Sequence, residues 1–302
     1  MSAPSAIASP TAAIPHGRAG DYLALTKPRI VLMVLVTTLA GFYLGTTGGG
    51  FDAALAINLM IGTALSAGGT LALNQYFERD TDAMMDRTRN RPLPAMKMRP
   101  TEALVFGAVA TAAGLCWLLI SANWLCAAVT AAITIVYLAI YTPLKRYTWM
   151  CNIAGAIPGA LPPVAGWAAA RGAAATEPFI LFAIMFLWQL PHTFAVARMF
   201  RADFERAGIH ILPKDAEGGG NPSNLVVIGA CIGLIAAGAM PALLGYGGLP
   251  YLLTAIVLGA AMLSYGVAMV RAPGNQPAAR RLLLASLVYL PAVLLALVLS
   301  RS

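Results

Sequence analysis

The chain has 302 residues, of which 59% are apolar and only 11% charged, and it carries a formal net charge of +8. That composition excludes an ordinary soluble domain and reads as a polytopic membrane protein. The basic balance is not a nucleic-acid signal, because the cations are distributed by loop rather than gathered in one patch.

Residues 1–24 are rich in Ala, Ser and Pro without helical periodicity, and carry no cation before Arg18. We read them as a disordered or interfacial leader that lacks the features of a cleaved signal or an organelle transit peptide. Apolar runs long enough to cross a bilayer, about 20 residues each, occupy 30–46, 53–77, 102–121, 123–143, 150–170, 177–200, 224–244, 249–270 and 281–300. The fold expected is therefore all-α, with about nine transmembrane helices around an intramembrane cavity, residues 25–302 forming one domain.

All the Lys and Arg residues except Arg171 and Arg301 fall in alternate connections: the N-terminal segment and the loops after spans two, four, six and eight. The positive-inside rule then places the N-terminus and these loops in the cytoplasm and the C-terminus opposite. The long polar loops all lie on that face, so a cytoplasmic cap is expected. Cys116, Cys126, Cys151 and Cys231 lie in or beside spans without metal-ligand spacing, and read as small buried residues.

The second span ends in Asn74-Gln-Tyr-Phe-Glu78-Arg-Asp80-Thr-Asp82-Ala-Met-Met-Asp86-Arg87-Thr-Arg89-Asn-Arg91. At about 100° per residue, Asn74, Glu78 and Asp82 share one helix face, and Asp86 extends the stripe if the helix continues. Oxygen-only ligands of this kind suit Mg²⁺. The simpler alternative is a solvated helix end whose acids pair with Arg79, Arg87 and Arg89. Arg87, Arg91, Lys145 and Arg146 could clamp a phosphate, or could serve only as topology anchors.

In the fifth span, Gly155-Ala-Ile-Pro158-Gly159 and Pro162-Pro163 interrupt the helix; irregular backbone at this depth lines a cavity or packs closely on protein. The sixth span ends in Trp188-Gln189-Leu-Pro191-His192, where polar groups flank a proline read as a helix break. Arg198, Arg201 and Asp203 come next, and His210 is a weaker candidate on the same face.

These clusters, in this order, resemble the UbiA-type intramembrane prenyltransferases, and more narrowly their heme O synthase branch. The matching segments are Leu25-Thr-Lys-Pro-Arg29, Asn74…Glu78…Asp82…Asp86-Arg-Thr…Arg91-Pro-Leu-Pro94, Tyr141-Thr-Pro-Leu-Lys145-Arg146, Gly159-Ala-Leu-Pro162-Pro163, Trp188-Gln-Leu-Pro-His192, and Asp203-Phe…Ala207-Gly208…Leu212-Pro213. Glu78 stands where the superfamily often has Asp, and the second acidic motif keeps only Asp203 and Glu205, so Asp203 is the residue left for a second metal.

The resemblance implies a farnesyl diphosphate donor, a heme b acceptor and Mg²⁺ held by Asn74, Glu78 and Asp82. Arg87, Arg91, Lys145 and Arg146 would neutralise the diphosphate, while Trp188, Gln189, His192 and Arg198 would shape the heme pocket. It further implies membrane lipid as surroundings and a downstream heme-modifying enzyme or terminal oxidase assembly as the consumer of the product, while the weak leader favours a bacterial inner membrane over a mitochondrial one. Another aromatic acceptor, hydroxybenzoate or a chlorin, would use the same donor chemistry. A cation-coupled transporter is the reading from a different class.

Overall fold

A computed structural model describes residues 18–46, 50–173, 177–213 and 221–300. Among the described residues the chain is helical throughout its ordered elements, and nine helices are long and apolar enough to cross a membrane. We number them in chain order with two short helices: α1 Arg18–Leu25, α2 Pro28–Gly45, α3 Ala53–Ala83, α4 Pro100–Ser121, α5 Trp124–Leu144, α6 Cys151–Arg171, α7 Glu177–Met199, α8 Arg201–Arg206, α9 Pro222–Leu243, α10 Leu249–Arg271 and α11 Gln276–Leu299.

The spans start where local chemistry allows. Asp52, Asn123, Asn221 and Asn275 accept from backbone N–H groups one turn or less downstream, capping α3, α5, α9 and α11. Prolines in the first turn of α2, α4, α9, α10 and α11 lose no helical hydrogen bond there.

Three expectations need correction. Residues 18–24 are not disordered: they lie in α1, whose Asp21 and Leu25 are buried, because Leu25 packs with Ala72, Leu93 and Met98. Residues 1–17 are outside the described residues. Pro191 does not end α7, which runs through it to Met199; a proline removes one hydrogen bond, and the packed neighbours of α7 hold the rest of the helix. Of the interruptions expected in the fifth span, Pro158 lies inside a helical turn, and the break comes at Leu161, between Cys151–Ala160 and Pro162–Arg171.

That break seats α6 against protein. A Cβ on Gly166 would stand 1.9 Å from the Thr38 carbonyl oxygen of α2, and one on Gly41 would stand 2.0 Å from the Pro163 carbonyl oxygen. Two backbones meet there with no room for a side chain, the packing that small residues permit in membranes. The core divides similarly. One cluster joins α7, α9, α10 and α11 around Phe194, Tyr251, Met262 and Tyr289; another joins α2 to α6 around Phe42, Leu59 and Leu118.

Alternating spans bring the α1–α2 turn and the loops after α3, α5 and α7 to one end. There Met85, Cys151, Phe204, Ile209 and Ile211 form a separate small core. This is the expected cap.

Candidate active site

The sequence places Asn74, Glu78 and Asp82 four residues apart, and α3 extends far enough to put all three on one buried face, each less than 7% exposed. The helix ends just after them. The Asp82 carbonyl accepts from the Met85 N–H at 3.4 Å and from Thr88 Oγ1 at 2.8 Å, which occupies both lone pairs that an Asp86 N–H could use. Asp86 therefore leaves the stripe, contrary to the expectation that it would add a fourth ligand.

Each of the three oxygen-bearing side chains meets one cation. Lys145 Nζ lies 2.5 Å from Glu78 Oε1, and Arg91 Nη1 lies 2.6 Å from Asp82 Oδ2. Lys27 Nζ donates to Asn74 Oδ1 at 2.8 Å. The Asn74 amide faces that way because its Nδ2 donates to Glu78 Oε1 and, at 3.2 Å, to Thr142 Oγ1.

Local backbone irregularities aim two of these cations. A π turn over Val136–Tyr141 precedes Thr142, whose hydroxyl donates to the Tyr137 carbonyl at 2.8 Å. Such a turn inserts a residue and rotates the next stretch of helix, here Thr142 and Lys145. Lys27 has φ 50° and ψ 65°, the left-handed region, at a cost of about 1–2 kcal/mol for a residue with a Cβ. Gln75, next to Asn74, offsets this by donating to the carbonyls of Ala24 and Leu25 at 3.0 and 2.8 Å. Burial and the nearby Arg91 push the Lys27 ammonium down to about 8.

The remaining charged candidates build the cap. Arg206 Nη1 donates to Asp86 at 2.8 Å and its Nη2 to Asp203 at 2.6 Å. Asp86 and Asp203 are thus brought together, but on a guanidinium rather than on the α3 stripe. That hydrogen bond and charge hold the Asp86 carboxyl below the usual carboxylate range. Arg87 stacks over Phe200 and Phe204, 5.1 and 5.5 Å from their centroids. Arg146 is exposed and reaches the Phe77 carbonyl at 3.4 Å. The His210 N–H donates to the Lys145 carbonyl at 2.9 Å, tying the two loops.

The donor set fits a hard divalent cation. Among the described residues no three His, Cys, Asp or Glu side chains gather as a metal cluster, so the ligands available are two carboxylates and one amide. Mg²⁺ commonly uses few protein oxygens and completes its shell with phosphate and water. Asp82 Oδ1 is buried without a hydrogen-bond partner, an arrangement a cation would satisfy.

The α7 candidates lie on a different wall. Trp188 Nε1 donates to the Ser286 carbonyl of α11 at 2.7 Å, and the Trp188 and His192 rings stack with centroids 4.9 Å apart. His192 Nδ1 lies 2.8 Å from Ser286 Oγ. That hydroxyl already donates to the Leu283 carbonyl at 2.6 Å, so it accepts from Nδ1–H and the Nε2 lone pair stays available. Gln189 turns towards α6, donating to the Gly155 carbonyl at 3.3 Å. Arg198 is held by Asn224 Oδ1 and, at 2.9 Å, by the Met269 carbonyl, which places it among α7, α9 and α10.

The model of the UbiA prenyltransferase family matches residues 34–288. The chain belongs to the UbiA prenyltransferase family. It is 42% identical over 282 residues to protoheme IX farnesyltransferase of Solibacter usitatus, covering 90% of this chain and 96% of that one. It is 40% identical to the protein of the same name from Myxococcus xanthus, covering 94% and 95%. Among solved structures it resembles digeranylgeranylglyceryl phosphate synthase, with a TM-score of 0.78 at 18% identity over 93% of this chain and 98% of that chain. It also resembles a UbiA homologue from Archaeoglobus fulgidus bound to GPP and Mg²⁺, with a TM-score of 0.57 at 18% identity over 92% and 99%. Those structural likenesses establish the shared fold.

In this UbiA prenyltransferase, then, Asn74, Glu78, Asp82, Arg91 and Lys145 converge, while Trp188 and His192 converge elsewhere on Ser286. Sequence reasoning did not select Lys27, Thr142, Ser286 or Arg206 as site residues. Signals existed for Lys27, a cation directly before the proline that starts a span, and for Thr142, inside the Tyr141-Thr-Pro-Leu-Lys145 segment; Ser286 and Arg206 are common residue types without a local pattern.

Proposed function

We propose that this protein transfers the farnesyl group of farnesyl diphosphate to a vinyl group of heme b, giving heme O and diphosphate. The observation that carries this reading is the buried Asn74–Glu78–Asp82 stripe with a cation on each member, in a chain about 40% identical over most of its length to proteins named protoheme IX farnesyltransferase. The stripe lies at one end of the bundle, under a cap. A transporter would set its charges between broken helices near the midplane.

In this reading Asn74, Glu78 and Asp82 would hold Mg²⁺, which would supply positive charge for the diphosphate leaving group. Lys145, buried, and Arg91, partly buried, hold the phosphate oxygens as negative charge develops on them. The allylic C–O bond breaks with its electron pair going to diphosphate. The vinyl π pair of heme then bonds to farnesyl C1, and water adds to the resulting cation with loss of a proton. The apolar walls keep water from the allylic cation until the carbon–carbon bond has formed. Arg87, close enough to feel the charges of Asp82 and Arg91, and Arg146 would neutralise the remaining diphosphate charge from the cap. On the α7 wall, His192 with its free Nε2 and the stacked Trp188 face the acceptor, and Arg198 braces that wall.

Residues 25–302 act as one domain in a bacterial inner membrane, with the N-terminus and cap cytoplasmic and the C-terminus opposite, the side favoured by the Lys and Arg distribution. Incubation of the detergent-solubilised protein with Mg²⁺, labelled farnesyl diphosphate and either heme b or 4-hydroxybenzoate tests the assignment. Label appearing in heme at the hydroxyethylfarnesyl mass is the expected result; label in the benzoate alone would transfer the protein to another acceptor class.

A further inference from the structure

The charges at the α3 stripe do not balance. Two carboxylates, Glu78 and Asp82, face three cations, Lys27, Lys145 and Arg91. Lys145 and Arg91 each rest on a carboxylate, whereas Lys27 rests on the neutral amide oxygen of Asn74. Lys27 is the surplus charge. Its backbone is left-handed, fixed between the carbonyls held by Gln75 and the ring of Pro28. A strained conformation that its surroundings over-determine in this way is a mark of function.

The position of the ammonium matters as much as its charge. It lies 2.8 Å from Asn74 Oδ1, the atom a metal would take at about 2.0–2.1 Å. A divalent cation and this ammonium cannot share that oxygen without strong like-charge repulsion. An anionic diphosphate changes the balance, since it offers the ammonium charge-assisted hydrogen bonds that a neutral amide cannot match.

We infer that Lys27 holds the metal position closed until a diphosphate draws its ammonium away, so that divalent cation and diphosphate bind as a coupled pair. This rests on the prenyltransferase reading above, and makes Lys27 a residue that touches the donor. Metal alone meets a site of net positive charge and binds weakly. Diphosphate without metal finds in Lys27 a cation whose hydrogen bond goes to a neutral amide rather than to a carboxylate. Once the ammonium has moved to phosphate oxygen, Asn74 Oδ1 turns to the metal and completes the oxygen set with Glu78 and Asp82. By linkage, each ligand then raises the affinity of the other by the same factor.

The test is a binding measurement that involves neither heme nor turnover. Mn²⁺ is titrated against the full-length protein in detergent and followed by electron paramagnetic resonance, with and without farnesyl thiolodiphosphate. Binding of the analogue is measured separately in EDTA by calorimetry. Wild-type protein should bind Mn²⁺ about tenfold more tightly with the analogue present. Lys27→Met should bind Mn²⁺ alone about tenfold more tightly than wild type, and should lose analogue affinity in EDTA by a similar factor. Lys27→Arg, which keeps the charge, should retain weak binding of metal alone.

Unchanged or weaker binding of Mn²⁺ alone in Lys27→Met overturns the inference. Should that variant not fold, the wild-type protein decides: equal Mn²⁺ affinity with and without the analogue overturns it equally. If coupling is absent but farnesyl still reaches heme, only this inference fails. If the wild type binds no analogue at all, the prenyltransferase reading falls with it.

Discussion

Lys145 Nζ and Glu78 Oε1 meet at 2.5 Å, with both side chains only 8% exposed. Neither residue is near the other in sequence; the π turn in α5 aims the lysine at the α3 stripe. A pair so deeply placed stabilises little by itself, but breaking it leaves a buried charge unpaired, at a cost of about 3–5 kcal/mol. Lys145→Met should therefore lower the melting temperature in detergent and abolish farnesyl transfer. The double variant Lys145→Met, Glu78→Gln should regain most of the stability while staying inactive. A double variant no more stable than Lys145→Met would mean that the pair is not coupled.

Asp82 has one carboxylate oxygen on Arg91 and the other buried without a partner. Asp82→Asn keeps the shape and removes the charge, so the protein should fold and transfer farnesyl at least about 100-fold more slowly. Product heme extracted and weighed by mass spectrometry provides the measurement. Wild-type turnover in this variant would remove Asp82 from the metal role.

Ser286 fixes His192 by accepting from Nδ1 while donating to the Leu283 carbonyl. His192→Ala should weaken heme binding while diphosphate binding is kept. Ser286→Ala should weaken heme binding by a smaller factor, about threefold to tenfold, because one hydrogen bond contributes about 0.5–1.5 kcal/mol. Titration of the Soret band in both variants tests this, and heme affinity equal to wild type in His192→Ala would end its assignment to the acceptor wall.

The contact of α2 with α6 leaves no space at Gly166, where a Cβ would lie 1.9 Å from a backbone oxygen that cannot rotate away. Gly166→Ala should destabilise by about 1–3 kcal/mol, visible as a lower thermal midpoint. Gly229→Ala, inside α9 where nothing lies within 4 Å, is the matched control and should melt at or slightly above wild type.

Arg206 clasps the loop after α3 to α8 through Asp86 and Asp203. Because Asp86 has its carboxyl held low in the folded state, this contribution is present above the ordinary carboxylate pKa of about 4 and is lost as pH falls below it. The pair is exposed, so salt should weaken it as well. Arg206→Ala should hasten proteolytic cleavage within residues 84–99 at neutral pH, and acid or high salt should bring wild type towards the same rate. Equal cleavage at neutral pH would leave the clasp without a role in cap closure.

The sequence by itself determined the nine spans found among the described residues and the shared face of Asn74, Glu78 and Asp82. Spans follow from apolar length, a property of the local chain, and the spacing of Asn74, Glu78 and Asp82 needs only helical geometry. Tertiary structure decided which charges those residues meet. Lys27 lies 47 residues from Asn74, and its role depends on a left-handed turn that Gln75 stabilises from another helix. Asp86 continues the spacing along the chain yet leaves the stripe, because Thr88 takes a carbonyl and Arg206 takes the carboxylate. Periodicity carries information along one helix, whereas the pairing of buried charges is settled by desolvation and by whichever partner another segment brings within reach.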